Sequence, residues 1–246
     1  MKKIINIMLI SFALVVSWCY AYIPEESKTF IHFATSAEYP PFEYNERGEI
    51  KGFDIDLARL IAKQLGKEVV FDSMQFSSIL PALSMGQVDA AISTLTITEQ
   101  RKKNFDFSIP YYFESLAVVY SQQQPIKNVA QLANKKIAVQ LGSTMEIWLK
   151  NNIPNATLLV MDNNNQAIAA LNAGHADAVV VDGAQGVSFS QKNPGLAFTV
   201  ISKSNDGYGL ALKKNSPLTH EINKALQQLE QKGELAKLKQ KWFGGA

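Results

Sequence analysis

Leu83, Gly86, Asp89 and Ala90 in the stretch "LSMGQVDAAIS" recur as Leu171, Gly174, Asp177 and Ala178 in "LNAGHADAVVV", at the same spacing. Each copy reads as the end of a helix, a glycine stop and a short buried strand. Such joins favour these residue types anywhere, but one copy in each half of the chain predicts two α/β lobes of similar design. The wider pattern agrees. Apolar runs of strand length alternate with helical periodicity: "FIHFA" (30–34), "DAAIS" (89–93), "KIAVQL" (136–141), "DAVVVD" (177–182) and "YGLAL" (208–212). In "GFDIDLARLIAKQLG" Phe53, Leu57, Leu60, Ile61 and Leu65 share one helical face, and Gly66 is the stop. Alternation of this kind implies an α/β fold around mainly parallel sheets.

The N-terminus carries Lys2 and Lys3, an apolar run from Ile4 to Val16 and then "SWCYA". This reads as a secretory signal over residues 1–21, cut after Ala21, because the run is shorter than the roughly 20 residues that span a bilayer. Export to the periplasm is the expectation. Lipidation of Cys19 is the alternative, against which stands the bulky Trp18 before it. Removal of residues 1–21 takes away the only cysteine and two lysines, leaving 22 basic against 22 acidic residues. No disulfide framework is then available, and no net field favours nucleic acid or a membrane surface. About 225 residues of ordinary composition fit one large domain or two small ones.

Polar "YSQQQPIKNV" (120–129) and "SKSNDGYG" (202–209) are the candidate linkers. They divide the mature chain into a discontinuous first lobe, 22–119 plus 207–246, and a second lobe, 120–206. Two side-by-side crossings make a two-strand hinge, and the C-terminal helices are expected to pack on the first lobe.

Enzyme signatures are missing. There is no GxSxG elbow, phosphate loop, GxGxxG or HExxH, and His32, His175 and His220 have no ligand spacing. No metal or cofactor is expected. The most informative stretch is "ISTLTITEQR" (92–101), where Ser93, Thr94, Thr96 and Thr98 precede the lone Arg101. Thr96 to Glu99 fits a capping box. Strand-end hydroxyls, helix-start amides and a guanidinium fork also suit a carboxylate, which the fork can hold bidentately. "AEYPPFEY" (37–44) follows the first strand and supplies Tyr39, Phe42 and Tyr44 where open α/β sheets bind ligands. Phe76 follows the second strand, as core or as ligand wall. In "QLGST" one of Ser143 and Thr144 suffices to cap a helix, and Asp182 at the end of "VVVD" is either a helix cap or a partner for an ammonium group.

"ATSAEYPPFEY", "GFDIDLARLIAKQL", "FSSILPAL", "VDAAISTLTITEQRKKNFDFSIPYY", "KIAVQLGST", "ADAVVVD" and "KLKQKWFG" together resemble the polar amino-acid-binding proteins that serve ABC importers. The resemblance runs in order through the mature chain. It implies the type II periplasmic binding fold, two α/β lobes on a two-strand hinge that close over one amino acid. It further implies a monomer that hands its ligand to a permease in the inner membrane. It places the ligand carboxylate on Arg101, Thr96 and the amides near Thr94 and Ser143 or Thr144, and the ammonium on Asp182 with help from Ser93 or Thr96. Tyr39 and Phe76 would sandwich the side chain. The pattern looks most like arginine-binding members, although Ser36 stands where several basic-amino-acid binders carry aspartate. Glu38 is then the expected charge reader, and Gln140 tolerates a cation where a lysine would repel one. A neutral amino acid such as glutamine is the alternative ligand, and a cyclohexadienyl dehydratase on the same fold is the alternative class.

Overall fold

A computed structural model describes residues 29–244. The expected signal segment, its cleavage point and Cys19 therefore lie outside the described residues. The chain begins with β1 (Phe30–Thr35) and a small antiparallel sheet of β2 (Glu38–Tyr39), β3 (Glu43–Glu46) and β4 (Glu49–Lys51). Then come α1 (Phe53–Gln64), β5 (Glu68–Ser73), α2 (Phe76–Met85), β6 (Ala90–Ala91), α3 (Glu99–Lys102) and β7 (Phe105–Phe107). The long strand β8 (Tyr112–Ser121) leads to β9 (Lys136–Gln140), α4 (Thr144–Asn152), β10 (Thr157–Met161), α5 (Asn164–Asn172), β11 (Ala178–Asp182) and α6 (Gly183–Lys192). The long β12 (Leu196–Tyr208) returns to β13 (Ala211–Lys213), α7 (Leu218–Gln231) and α8 (Glu234–Phe243).

These elements form two five-stranded sheets, ordered β5-β1-β6-β13-β7 and β10-β9-β11-β8-β12. The chain is thus a type II periplasmic binding fold with two lobes. Within each, β1 or β9 pairs in parallel with both of its neighbours. The recurring sequence forms the same structure twice. Gly86 and Gly174 both take positive φ, 73° and 72°, and end α2 and α5. Asp89 then accepts the His32 N–H of β1, and Asp177 the Lys136 N–H of β9, both at 2.8 Å.

The hinge departs from expectation at one end. β8 pairs with β12 from Tyr112 to Ser121 and with β11 from Leu116 to Tyr120. Residues 112–119 therefore pair within the second sheet, while Tyr112 still packs on Phe42, Phe53 and Phe243 of the first lobe. The polar stretch 120–129 finishes β8 and turns towards the 3-10 helix Val129–Leu132, inside the second lobe. Its polarity reflects a surface turn rather than a crossing. At the return, β12 runs unbroken to Tyr208, with register shifts near Val200–Ser202 and Lys203–Gly207.

The helix α1 buries Phe53, Leu57 and Ile61 as its period requires. Ile222, Leu226, Leu229, Leu235 and Leu238 of α7 and α8 join the same core. The second lobe packs both faces of its sheet, with Val118, Ile137 and Val180 on one side and Val119, Ala138 and Val179 on the other. Two covered faces explain the uninterrupted apolar run of β11.

Candidate functional site

One small space lies between the lobes, at the carboxyl ends of β6 and β9. Tyr39, Phe76, Thr94, Thr96 and Arg101 line it from the first lobe, and Gln140, Ser143, Thr144, Met145 and Asp182 from the second. About 10 Å³ remains among them, close to the least room that holds one water molecule. The lobes are closed on each other. Arg101 Nη2 donates to the Gly142 carbonyl at 3.3 Å, the Thr96 and Thr144 hydroxyls are 3.4 Å apart, and the Tyr39 hydroxyl donates to Asp182 Oδ2 at 2.6 Å. The Gln185 amide also donates to the Pro40 carbonyl.

The hydroxyls of "ISTLTITEQR" divide their work differently from the capping box. Thr98, not Thr96, caps α3, accepting the Arg101 N–H at 3.2 Å. The helix starts two residues late because Thr96 is tied to Tyr208 by a β-bridge. That bridge leaves the Thr96 hydroxyl for the cleft. The Arg101 guanidinium donates through Nη1 to the Thr96 carbonyl at 2.9 Å and lies 6.0 Å from the Phe76 ring centre. Burial lowers its pKa to about 10, opposed by Asp182, so it stays charged at neutral pH.

In the second lobe Ser143 caps α4, accepting the Glu146 N–H at 3.2 Å, which leaves Thr144 in the first turn for a ligand. Asp182 stands at the N-cap position of α6 but makes no capping bond. Glu114 does that work, accepting the Ala184 N–H at 3.0 Å. Gly183 is the residue that allows this approach, since a Cβ there would meet Ser115 and Glu114. Asp182 is thereby kept from the helix amides. Burial pushes its pKa up to about 7; Tyr208 and Tyr39 favour its charged form, and nearby Glu114 opposes it.

Three expected residues do not reach this space. Glu38 is exposed, because β2 turns Tyr39 inward and successive side chains of a strand point to opposite faces. Ser36 is buried, its N–H donating to Ser93 Oγ at 3.1 Å. Ser93 is fully buried and donates to Glu43 at 2.8 Å. The Thr94 amide is likewise not aimed at a ligand, since it donates to Asp54 at 2.9 Å. Sequence reasoning missed Glu114, Tyr208 and the buried acids Glu43 and Asp54. Only Asp54 left a trace, as an acid beside Phe53 on the buried side of α1.

A larger cleft of about 790 Å³ adjoins, sharing Thr96, Thr144 and Asp182 and walled by Glu114, Trp148 and β12. Among the described residues no group of three or more His, Cys, Asp or Glu could hold a metal, and no helix is long and apolar enough to cross a membrane.

Two sheets on a two-strand hinge, with a guanidinium from one lobe and a carboxylate from the other at their junction, define a two-lobed binding protein for a small solute. The chain belongs to the bacterial extracellular solute-binding proteins, family 3, whose model matches residues 31–245. It is 36% identical over 226 residues to the arginine-binding extracellular protein ArtP of Bacillus subtilis, covering 90% of this chain and 89% of that one. An ancestral arginine-binding protein has been solved with glutamine (TM-score 0.85, 40% identity, 89% of this chain and 100% of that one) and with arginine (0.85, 39%, 88% and 99%). A further similar structure is the ancestral amino acid-binding protein AncCDT-1, a precursor of cyclohexadienyl dehydratase (0.82, 34%, 87% and 95%).

Proposed function

We propose that this protein captures one free amino acid, arginine first among the candidates, outside the inner membrane and delivers it to the permease of an ABC importer. The observation that carries the reading is the opposed pair Arg101 and Asp182, one on each lobe, both buried enough to shift their pKa values. An amino acid's carboxylate and ammonium match that pair, and only lobes closed around the ligand, with the Tyr39–Asp182 and Arg101–Gly142 contacts opened, offer both. The ligand therefore shifts the population towards closure. Carboxylate binding falls to Arg101, Thr96 and the first-turn amides of α4; ammonium binding falls to Asp182. Tyr39 and Phe76 take the side chain, where a guanidinium gains cation–π attraction of roughly 0.5 to 2 kcal/mol. Arginine is favoured by the similarity to ArtP and to the arginine-bound ancestral protein. Binding without catalysis is favoured by the walls of the small cavity, where among the described residues Asp182 is the only carboxyl and would be neutralised by the ligand ammonium.

The test is a thermal-shift panel on refolded mature protein with arginine, lysine, ornithine, histidine, glutamine, glutamate and cystine. A ligand at about 100 times its Kd stabilises by roughly 2.7 kcal/mol. The largest shift with arginine supports the reading. The largest shift with glutamine or cystine replaces the ligand, and no shift with any of them overturns amino-acid capture.

A further inference from the structure

Behind the first-lobe wall of the cavity, two acids lie out of reach of water. Glu43 of β3 and Asp54 in the first turn of α1 are 1% and 0% exposed. Each acid acts on the other's titration, and Glu43 Oε2 and Asp54 Oδ1, both shut off from water, have no hydrogen-bond partner. Two carboxylates do not stay ionised side by side in a dry site, and a proton shared between the two orphaned oxygens would relieve both. Gly52 makes the meeting possible. Its φ is 134°, and a Cβ there would collide with the Phe42 carbonyl, so only glycine lets α1 start against β3.

The other two oxygens grip the strand end that faces the cavity. Glu43 Oε1 accepts from Ser93 Oγ at 2.8 Å, and Asp54 Oδ2 accepts from the Thr94 N–H at 2.9 Å and the Tyr111 hydroxyl at 2.8 Å. Thr94 has φ 47°, a left-handed backbone that a β-branched residue rarely adopts and that persists only where it is held. Thr94 and Thr96 are the cavity-lining residues that follow from this bend.

We propose that Glu43 and Asp54 are positioning residues that share one buried proton and, through Ser93 and Thr94, hold the strand end in the shape that binds the ligand. This rests on the amino-acid-binding reading above. The titratable groups facing the pair are Tyr111, which precedes β8, and Tyr39 of β2. Among the described residues no lysine, arginine or histidine contributes to the titration of Asp54. Burial pushes Asp54 up to about 7, and burial together with the Asp54 charge pushes Glu43 well above the carboxylate range. Loss of the shared proton at alkaline pH puts two charges in the core, loosens Thr94 and weakens binding.

The substitutions have distinct consequences. Glu43→Gln mimics the protonated acid, its oxygen accepting from Ser93 and its amide donating to Asp54. Asp54→Asn can donate in turn to an ionised Glu43. The double variant sets two amide NH2 groups against each other with no acceptor between them.

The experiment is a carbon-13 NMR titration of the side-chain carboxyls in the mature protein without added ligand, paired with calorimetric arginine titrations of wild type, both single variants and the double. It spans roughly pH 5 to 9. Expected are coupled titrations of Glu43 and Asp54 above the ordinary carboxylate range, with the Thr94 amide shift following them. Glu43→Gln should bind within about threefold of wild type and lose the alkaline weakening, and the double variant should bind about tenfold worse than the two single effects combined. Ordinary carboxyl titrations, a Thr94 amide indifferent to them, or additive effects would overturn the proposal. A wild type that binds no arginine would sink the functional reading instead, while the ligand-free titration still decides the shared proton. If the double variant does not fold, that titration and the Glu43→Gln pH profile decide.

Discussion

The two copies of the helix–glycine–strand join are alike up to their aspartates and part company immediately afterwards. Asp89 and Asp177 each accept a neighbouring strand amide at the same distance. Beyond them β6 lasts two residues and gives way to the bent, hydroxyl-rich segment ending in Arg101, whereas β11 runs five residues straight into Asp182. The difference comes from what the rest of the fold brings to each exit. In the first lobe, buried acids from β3 and α1 pull the backbone inward and turn Thr94. In the second, Glu114 takes the Ala184 amide and leaves Asp182 unbound to the helix, facing the cleft. Similar local sequence thus yields a cationic exit in one lobe and an anionic exit in the other, the pair a zwitterion requires.

The most damaging way to break this complementarity is Arg101→Ala. By analogy with truncated buried charge pairs, it should cost on the order of 2 to 5 kcal/mol of arginine binding by calorimetry. A folded variant with wild-type affinity would remove Arg101 from the site.

Asp182→Asn attacks the other exit and adds a pH test. Ammonium binding needs the ionised form, so wild-type affinity should fall as pH drops below about 7, approaching tenfold per pH unit in the acid limit. The asparagine variant should bind weakly with a flatter acid profile. The stability sign is opposite. A carboxyl whose folded pKa lies above its unfolded value favours the fold at low pH, and that contribution is lost as pH rises from the ordinary aspartate range to about 7. Asp182→Asn should therefore raise the Tm of the ligand-free protein above neutral pH, and a lowered Tm there would contradict the burial argument.

Thr98→Ala tests whether the late start of α3 positions the arginine. Loss of this cap should cost about 1 kcal/mol of stability by denaturant unfolding, with a smaller loss of affinity than Arg101→Ala. The weakest effect is expected at Glu38. Its exposed position predicts that Glu38→Gln changes arginine affinity by less than about 0.5 kcal/mol. A selective loss for arginine over glutamine would show that Glu38 reaches the ligand despite its outward orientation.

Periodicity and turn chemistry disclosed the two α/β lobes, the α1 face, the glycine stops and several of the residues around the cleft, because these depend on neighbours within a few positions, whereas Gln140 came only from the family resemblance. Arg101, Thr96, Thr144 and Asp182 were legible for the same reason, as polar groups stranded at strand ends where a core has no use for them. Tertiary structure decided the rest. Which threonine caps α3 depended on a bridge to Tyr208; which acid caps α6 depended on Glu114 arriving along β8; and Glu38 lost the cleft to Tyr39 through the facing of a two-residue strand. Glu43 and Asp54 show the limit most clearly. Glu43 gives no sign in the chain and Asp54 only its place beside Phe53, and only the glycine-permitted contact between β3 and α1 removes both from water, where the cost of charge favours a shared proton.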